Sequence, residues 1–157
     1  MENNERFNLK EELFNSISHG AGVLFAITAL VLVSVFAAKT GDAWKIVSGV
    51  IYGVSLVALF LASTLYHSFP KGKVKDVFEI IDHSAIFLLI AGTYTPFTLV
   101  NLRGPSGWTI FGIVWGLTLV GIVFKIFFVN KFVVFSTFIY ILMGWLIVFA
   151  MGPLAEN

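Results

Sequence analysis

The chain has 157 residues, 58% hydrophobic and 12% charged, against roughly 25% charged in a soluble domain. Lys and Arg number 10 and Asp and Glu 9, a net charge of +1, which gives no basic field for nucleic acid. No cysteine is present, which excludes disulfide scaffolds, Cys-ligated zinc, iron–sulfur clusters and thiolate nucleophiles. With a mean hydropathy of +0.93, the expected solvent is lipid.

In chain order, the charges act as punctuation. No Asp, Glu, Lys or Arg occurs between Glu12 and Lys39, Lys45 and Lys71, Asp82 and Arg103, Arg103 and Lys125, or Lys131 and Glu156. Each run can cross a hydrocarbon core of about 30 Å, which takes about 20 helical residues. The expected class is therefore an all-α integral membrane protein, a helical bundle with five transmembrane helices. The spans fall near Ile17–Ala38, Ile46–Tyr66, His83–Leu102, Ser106–Phe124 and Phe132–Met151. Polar–apolar alternation is absent, which argues against a membrane β-barrel.

The flank of the first span holds Glu2, Glu5, Glu11 and Glu12 against Arg6 and Lys10. A signal peptide wants a basic flank and a shorter apolar stretch, so this is read as a retained span. Connections are short, and the chain reads as a single transmembrane domain over residues 1–157. Gly41, Gly72 and Gly104-Pro105 supply turn chemistry.

Lys and Arg are unevenly placed. Arg6 and Lys10 lie in the N-terminal tail, Lys71, Lys73 and Lys75 in the second loop, and Lys125 and Lys131 in the fourth. Lys39, Lys45 and Arg103 lie on the other side. Positive-inside then puts the N-terminus in the cytoplasm and makes the protein a multi-pass resident of the cell membrane. Trp44 and Trp108 fall at the outer boundaries, where aromatic anchors belong. Gly49-x-x-x-Gly53 and Gly112-x-x-x-Gly116 are small-residue faces that permit close helix approach. Internal packing is the plain reading of both, and a homo-oligomer is the other use such faces have. Pro96 lies inside span three and is expected to kink it, with Thr93 and Thr95 at hand for the freed backbone.

The histidines are the most informative polar residues. His19 opens span one, His67 closes span two, and His83, beside Asp82, opens span three. All lie at one membrane face, where ionisable groups usually meet a partner or a water-filled cavity. Ser63 shares a helical face with His67 one turn deeper, and Glu12, Asn15 and His19 form a stripe. A catalytic zinc needs about three protein ligands and an open position for water. His67, Asp82 and one further group would meet that number. The plainer reading is interfacial histidines, with the Lys-rich loop paired to Asp76, Glu79 and Asp82 as surface charge.

At these residues the sequence resembles the hemolysin III family, the bacterial branch of the progestin and adipoQ receptor superfamily. The matching segments are Glu12-Leu-Phe-Asn15-Ser-Ile-Ser18-His19-Gly20, Ser63-Thr-Leu-Tyr66-His67-Ser-Phe-Pro70, Asp82-His-Ser-Ala-Ile86 continuing to Ala91-Gly-Thr-Tyr-Thr-Pro96-Phe97, and Met143-Gly-Trp145. The resemblance implies seven helices, a cytoplasmic N-terminus and a zinc ion near the cytoplasmic face. It implies His67 as zinc ligand, Ser63 as its hydroxyl companion and Asp82 as holder of the zinc-bound water. His19 and Asn15 match the first-helix motif, with His19 the weaker candidate ligand, and His83 is not assigned to metal. The family pattern continues through two more helices and a His-x-x-x-His segment. No histidine follows His83, so a C-terminally truncated chain with an incomplete zinc site is expected.

Three functions follow as expectations. The first is zinc-dependent hydrolysis of a lipid-like amide or ester, with Asp82 as general base, Ser63 orienting or stabilising the oxyanion, and a ceramide-like or lysolipid substrate implied by the resemblance. The second is a pore or cytolytic protein. That needs a polar lining, and spans four and five offer only Thr109, Thr118, Ser136 and Thr137. The third is a receptor or structural role, for which short tails leave little cytoplasmic surface.

Overall fold

A span in hydrocarbon must satisfy its backbone internally, so long apolar runs are driven into helix. The computed structural model describes residues 9–129 and 131–148. In order they form α1 (Leu9–Lys39), α2 (Ala43–Ser68), α3 (Lys73–Pro96), a π-helical turn (Phe97–Asn101), α4 (Pro105–Phe128) and α5 (Val133–Trp145). No strand occurs among the described residues, so the all-α class holds. Four helices have the length and apolarity to cross a membrane: α1, α2, α3 with its π-helical extension, and α4. The fifth expected span begins as α5, whose 13 residues fall short of the about 20 a crossing takes. Residues 149–151 of that span, and the charges Glu2, Glu5 and Arg6, lie outside the described residues.

Local chemistry sets the helix ends. Gly41 takes the left-handed backbone (φ 67°) after α1, which only glycine adopts without steric cost. The Asp42 carboxylate then caps α2 by accepting from the Trp44 backbone N–H at 2.9 Å. Pro105 opens α4, where a missing N–H costs nothing.

The short turn folds α1 back along α2, and glycines let the two meet closely. A Cβ at Gly53 would lie 2.5 Å from Leu30 Cδ1, and one at Gly49 would lie 2.7 Å from Val33 Cγ1. Internal packing therefore explains the first small-residue face. For the second, a Cβ at Gly112 or Gly116 would meet nothing within 4 Å among the described residues.

At Pro96 the disruption takes the form of a π-helical turn, closed by Leu102 N–H donating to Phe97 O at 2.9 Å. Thr95 donates to Ala91 O and Thr98 to Tyr94 O, so threonines do occupy backbone acceptors around the proline. Beyond it, Phe87, Ala91, Tyr94, Val114 and Met143 pack α3, α4 and α5 into one buried cluster. The Tyr94 hydroxyl donates towards Met143 O and Gly144 O and accepts from Ile147 N–H. Phe25 and Val134, 77% and 85% exposed, are typical of the apolar outer surface.

The two ends of the bundle differ. Trp44 and Trp108 meet edge-to-face at 5.8 Å with Arg103 stacked 5.2 Å over Trp44, an anchor of the expected interfacial kind. At the other end α1 begins, α2 ends and α3 begins. There Lys73 and Lys75 belong to α3 and Lys125 to α4, so three charges read as loop residues lie in helices. Lys125 is 1% exposed.

Candidate functional site

The start of α1 carries Glu12, Asn15 and His19 on successive turns. The end of α2 carries Ser63 and His67. The antiparallel pairing of these helices brings the His19 and His67 rings to 5.7 Å between centroids, edge-on, with the Phe60 ring also edge-on to His19 at 6.0 Å. His67 Nδ1 lies 2.8 Å from Glu12 Oε2. An ionised carboxylate only accepts, so the imidazole donates from Nδ1 and its lone pair, when neutral, is on Nε2. His19 Nδ1 is buried without a hydrogen-bond partner among the described residues, a state that costs about 1–3 kcal/mol if nothing ever fills it.

Lys75, in the first turns of α3, completes the cluster. Its ammonium donates to Glu12 Oε2 at 2.9 Å, Tyr66 O at 2.9 Å and Phe69 O at 3.4 Å, and lies 4.3 Å over the Tyr66 ring. The sequence reading paired this lysine with local acids as surface charge. The structure instead buries it to 8% exposure and pairs it across the bundle, because only four residues separate the end of α2 from the start of α3. Glu12 was visible in the α1 stripe, but its link to His67 was not. The signal for it is the i, i+7 relation of Glu12 to His19, which puts a carboxylate two turns from an imidazole on one face.

The remaining predicted residues are spread around this centre. Ser63 is buried at 4% exposure, one turn deeper than His67. Asp82 is half-buried on α3, near enough to Tyr66 and Tyr140 to act on both electrostatically. Asn15 is half-buried on α1. His83 uses Nδ1 to donate to Glu79 O at 2.8 Å, and its own carbonyl accepts from the Tyr140 hydroxyl. Beside Glu12 and His67, a cleft of about 450 Å³ opens between the start of α1 and the end of α2, with Leu13, Ser16, Ser68 and Phe69 also on its walls. Ser16 and Ser68 share a hydroxyl hydrogen bond of 2.7 Å there.

As a zinc site the donor set is partial. Among the described residues no three His, Cys, Asp or Glu side chains gather to hold an ion. His67 Nε2 and His19 Nδ1 could offer two donors, where a catalytic zinc takes about three. The Glu12 carboxylate on His67 is the outer support that metal-binding histidines commonly have.

Helices of spanning length, an apolar exterior and a polar, histidine-bearing end define a multi-pass membrane protein embedded in the lipid bilayer. The chain belongs to the haemolysin III family: the family described as "Haemolysin-III related" matches residues 7–157. It is 58% identical to the Hemolysin-3 homolog of Bacillus subtilis (strain 168), over 94% of this chain and 70% of that protein. It is 54% identical to Hemolysin-3 of Bacillus cereus, over 95% of this chain and 68% of that protein. A 29% match to the human monocyte to macrophage differentiation factor covers 66% of this chain and 46% of that protein, in keeping with the wider superfamily. No solved structure matches the chain.

Proposed function

We propose that this chain works as a membrane hydrolase of a lipid-like amide or ester, at the cytoplasmic face, with a zinc ion as cofactor. One observation carries the reading: a buried imidazole nitrogen of His19 without a partner, beside a second imidazole that Glu12 orients. A bound ion would supply a water of lowered pKa, about 7, and carbonyl polarisation, and His67 Nε2 and His19 Nδ1 would contribute to holding it. The chain's own groups do the rest. Asp82 takes a proton from the attacking water, and the Ser63 hydroxyl orients the substrate oxygen and donates to it as charge develops. The cleft beside Glu12 has polar groups next to Leu13 and Phe69, which suits a head group followed by an apolar chain. The orientation rests on the Lys and Arg asymmetry.

The test is zinc per protein after detergent purification, with His67→Ala and His19→Ala alongside, followed by fatty-acid release from ceramide-like and lysolipid substrates. Stoichiometric zinc that falls in both variants, with turnover lost in Asp82→Asn, is the expected result. Absence of zinc from the parent protein, or full turnover in Asp82→Asn, overturns the proposal.

The name of the bacterial relatives supports a second reading, membrane damage through a pore. The hydroxyls that would line one are engaged: Thr109 donates to Pro105 O, Thr118 to Phe87 O and Ser136 to Phe132 O. This favours packing over an aqueous lumen. Conductance across planar bilayers at rising protein density tests it, and channel events that scale with density would displace the hydrolase reading.

A further inference from the structure

We propose that Glu12 and Lys75 are positioning residues that fix the tautomer of His67. The inference rests on His67 being the working imidazole of the proposed function and adds how the chain prepares it. An unconstrained neutral imidazole exchanges its proton between two nitrogens, and only the nitrogen without hydrogen can bind a cation or accept a proton. Here Glu12 Oε2 lies 2.8 Å from Nδ1. A carboxylate has no proton to give, so Nδ1 keeps the hydrogen and Nε2 presents the lone pair.

Glu12 can do this only if it stays charged and still, and Lys75 secures both. An ammonium donates only, and among the acceptors Lys75 meets are Glu12 Oε2, Tyr66 O and Phe69 O. The two carbonyls belong to the last turn of α2 and the residue after it, where helix acceptors lack intrahelical donors. The carboxylate comes from α1, the imidazole from α2 and the ammonium from α3, so no one helix can shift without disturbing the contact. A purely structural ion pair would hold the helices together without preferring either imidazole tautomer, and that difference is measurable.

The experiment is 15N NMR of the full chain in micelles after treatment with a chelator, with 15N-labelled histidine, at an alkaline pH beyond which the histidine signals no longer change. His67→Ala assigns the signal. The parent protein is expected to show essentially one form, protonated on Nδ1. Glu12→Met, which removes the acceptor, is expected to give a mixture or the Nε2-protonated form. Glu12→Gln, whose amide oxygen still accepts, is expected to restore part of the Nδ1–H signal. Circular dichroism reports whether each variant keeps its helices, and if Glu12→Met fails to fold, the parent and Glu12→Gln spectra decide. An Nε2–H form in the parent, or an unchanged spectrum in folded Glu12→Met, overturns the proposal. A parent protein that shows the Nδ1–H form after chelation, but held no zinc as purified, supports the positioning and counts against the hydrolase reading.

Discussion

Replacing Lys75 with methionine tests the buried charge cluster most directly. The substitution keeps an unbranched side chain but removes the donor shared by Glu12 Oε2, Tyr66 O and Phe69 O. Breaking one partner of a fully buried ion pair costs about 3–5 kcal/mol. The Glu12 side chain is 19% exposed and keeps its contact with His67, so the lower end, about 3 kcal/mol, is expected, with two α2 carbonyls losing a donor as part of that sum. This corresponds to a roughly 100-fold shift in the folding equilibrium. Equilibrium unfolding in mixed micelles measures it, with Lys73→Met as the exposed control, expected within about 0.5 kcal/mol of the parent. Adding Glu12→Gln to Lys75→Met should recover at least about 1 kcal/mol relative to the sum of the single changes, since the stranded carboxylate is gone. Equal stability of Lys75→Met and Lys73→Met would refute the burial argument, and strict additivity would refute the pairing.

Other substitutions probe the packing. Gly53→Ala would push a methyl group onto Leu30 and should destabilise by about 1–3 kcal/mol, whereas Gly116→Ala, which meets nothing within 4 Å among the described residues, should be neutral or gain up to about 1 kcal/mol from helix propensity; thermal unfolding of the two compares them directly. Tyr94→Phe removes the hydroxyl that links α3 to Met143, Gly144 and Ile147. It should cost about 1–3 kcal/mol and speed amide exchange at Ile147 before it affects the α1–α2 pair. Thr118→Val loses the donation to Phe87 O at a cost of about 1 kcal/mol, with no change in bilayer conductance if that hydroxyl serves packing.

The helices of spanning length were legible because charge is costly in hydrocarbon, so the uncharged runs mark them without any knowledge of packing. Helix ends were less so. Lys73, Lys75 and Lys125 were read as loop charges, but a charge can lie inside a helix when a neighbouring helix supplies an acceptor or shields it. The gathering of His19 and His67 followed from topology alone, since one hairpin returns the end of α2 to the start of α1. The Glu12–His67–Lys75 contact did not follow, because it depends on the rotation of three helices about their axes, which local periodicity does not set. The small-residue faces show the same limit: Gly49 and Gly53 look like Gly112 and Gly116 in sequence, and only the position of α1 distinguishes them. The proline in span three was plain to see, whereas the π-helical form of its disruption depends on where Leu102 finds its acceptor.

The way α1 is held has a consequence for the order in which the chain assembles during synthesis. The glycine seam needs only α1 and α2, so this hairpin can close as soon as both have entered the bilayer. Its polar fastening comes later: Glu12 waits 63 residues for Lys75, which arrives with the first turns of the third helix. Until then a carboxylate and an imidazole at the membrane edge have only each other and water. The lysine can reach Glu12 only once the third helix lies against α1 and α2. The geometry thus separates a zipper from a clasp: a chain whose third helix has not yet docked can hold the glycine seam between α1 and α2, but it lacks the lysine that fastens Glu12.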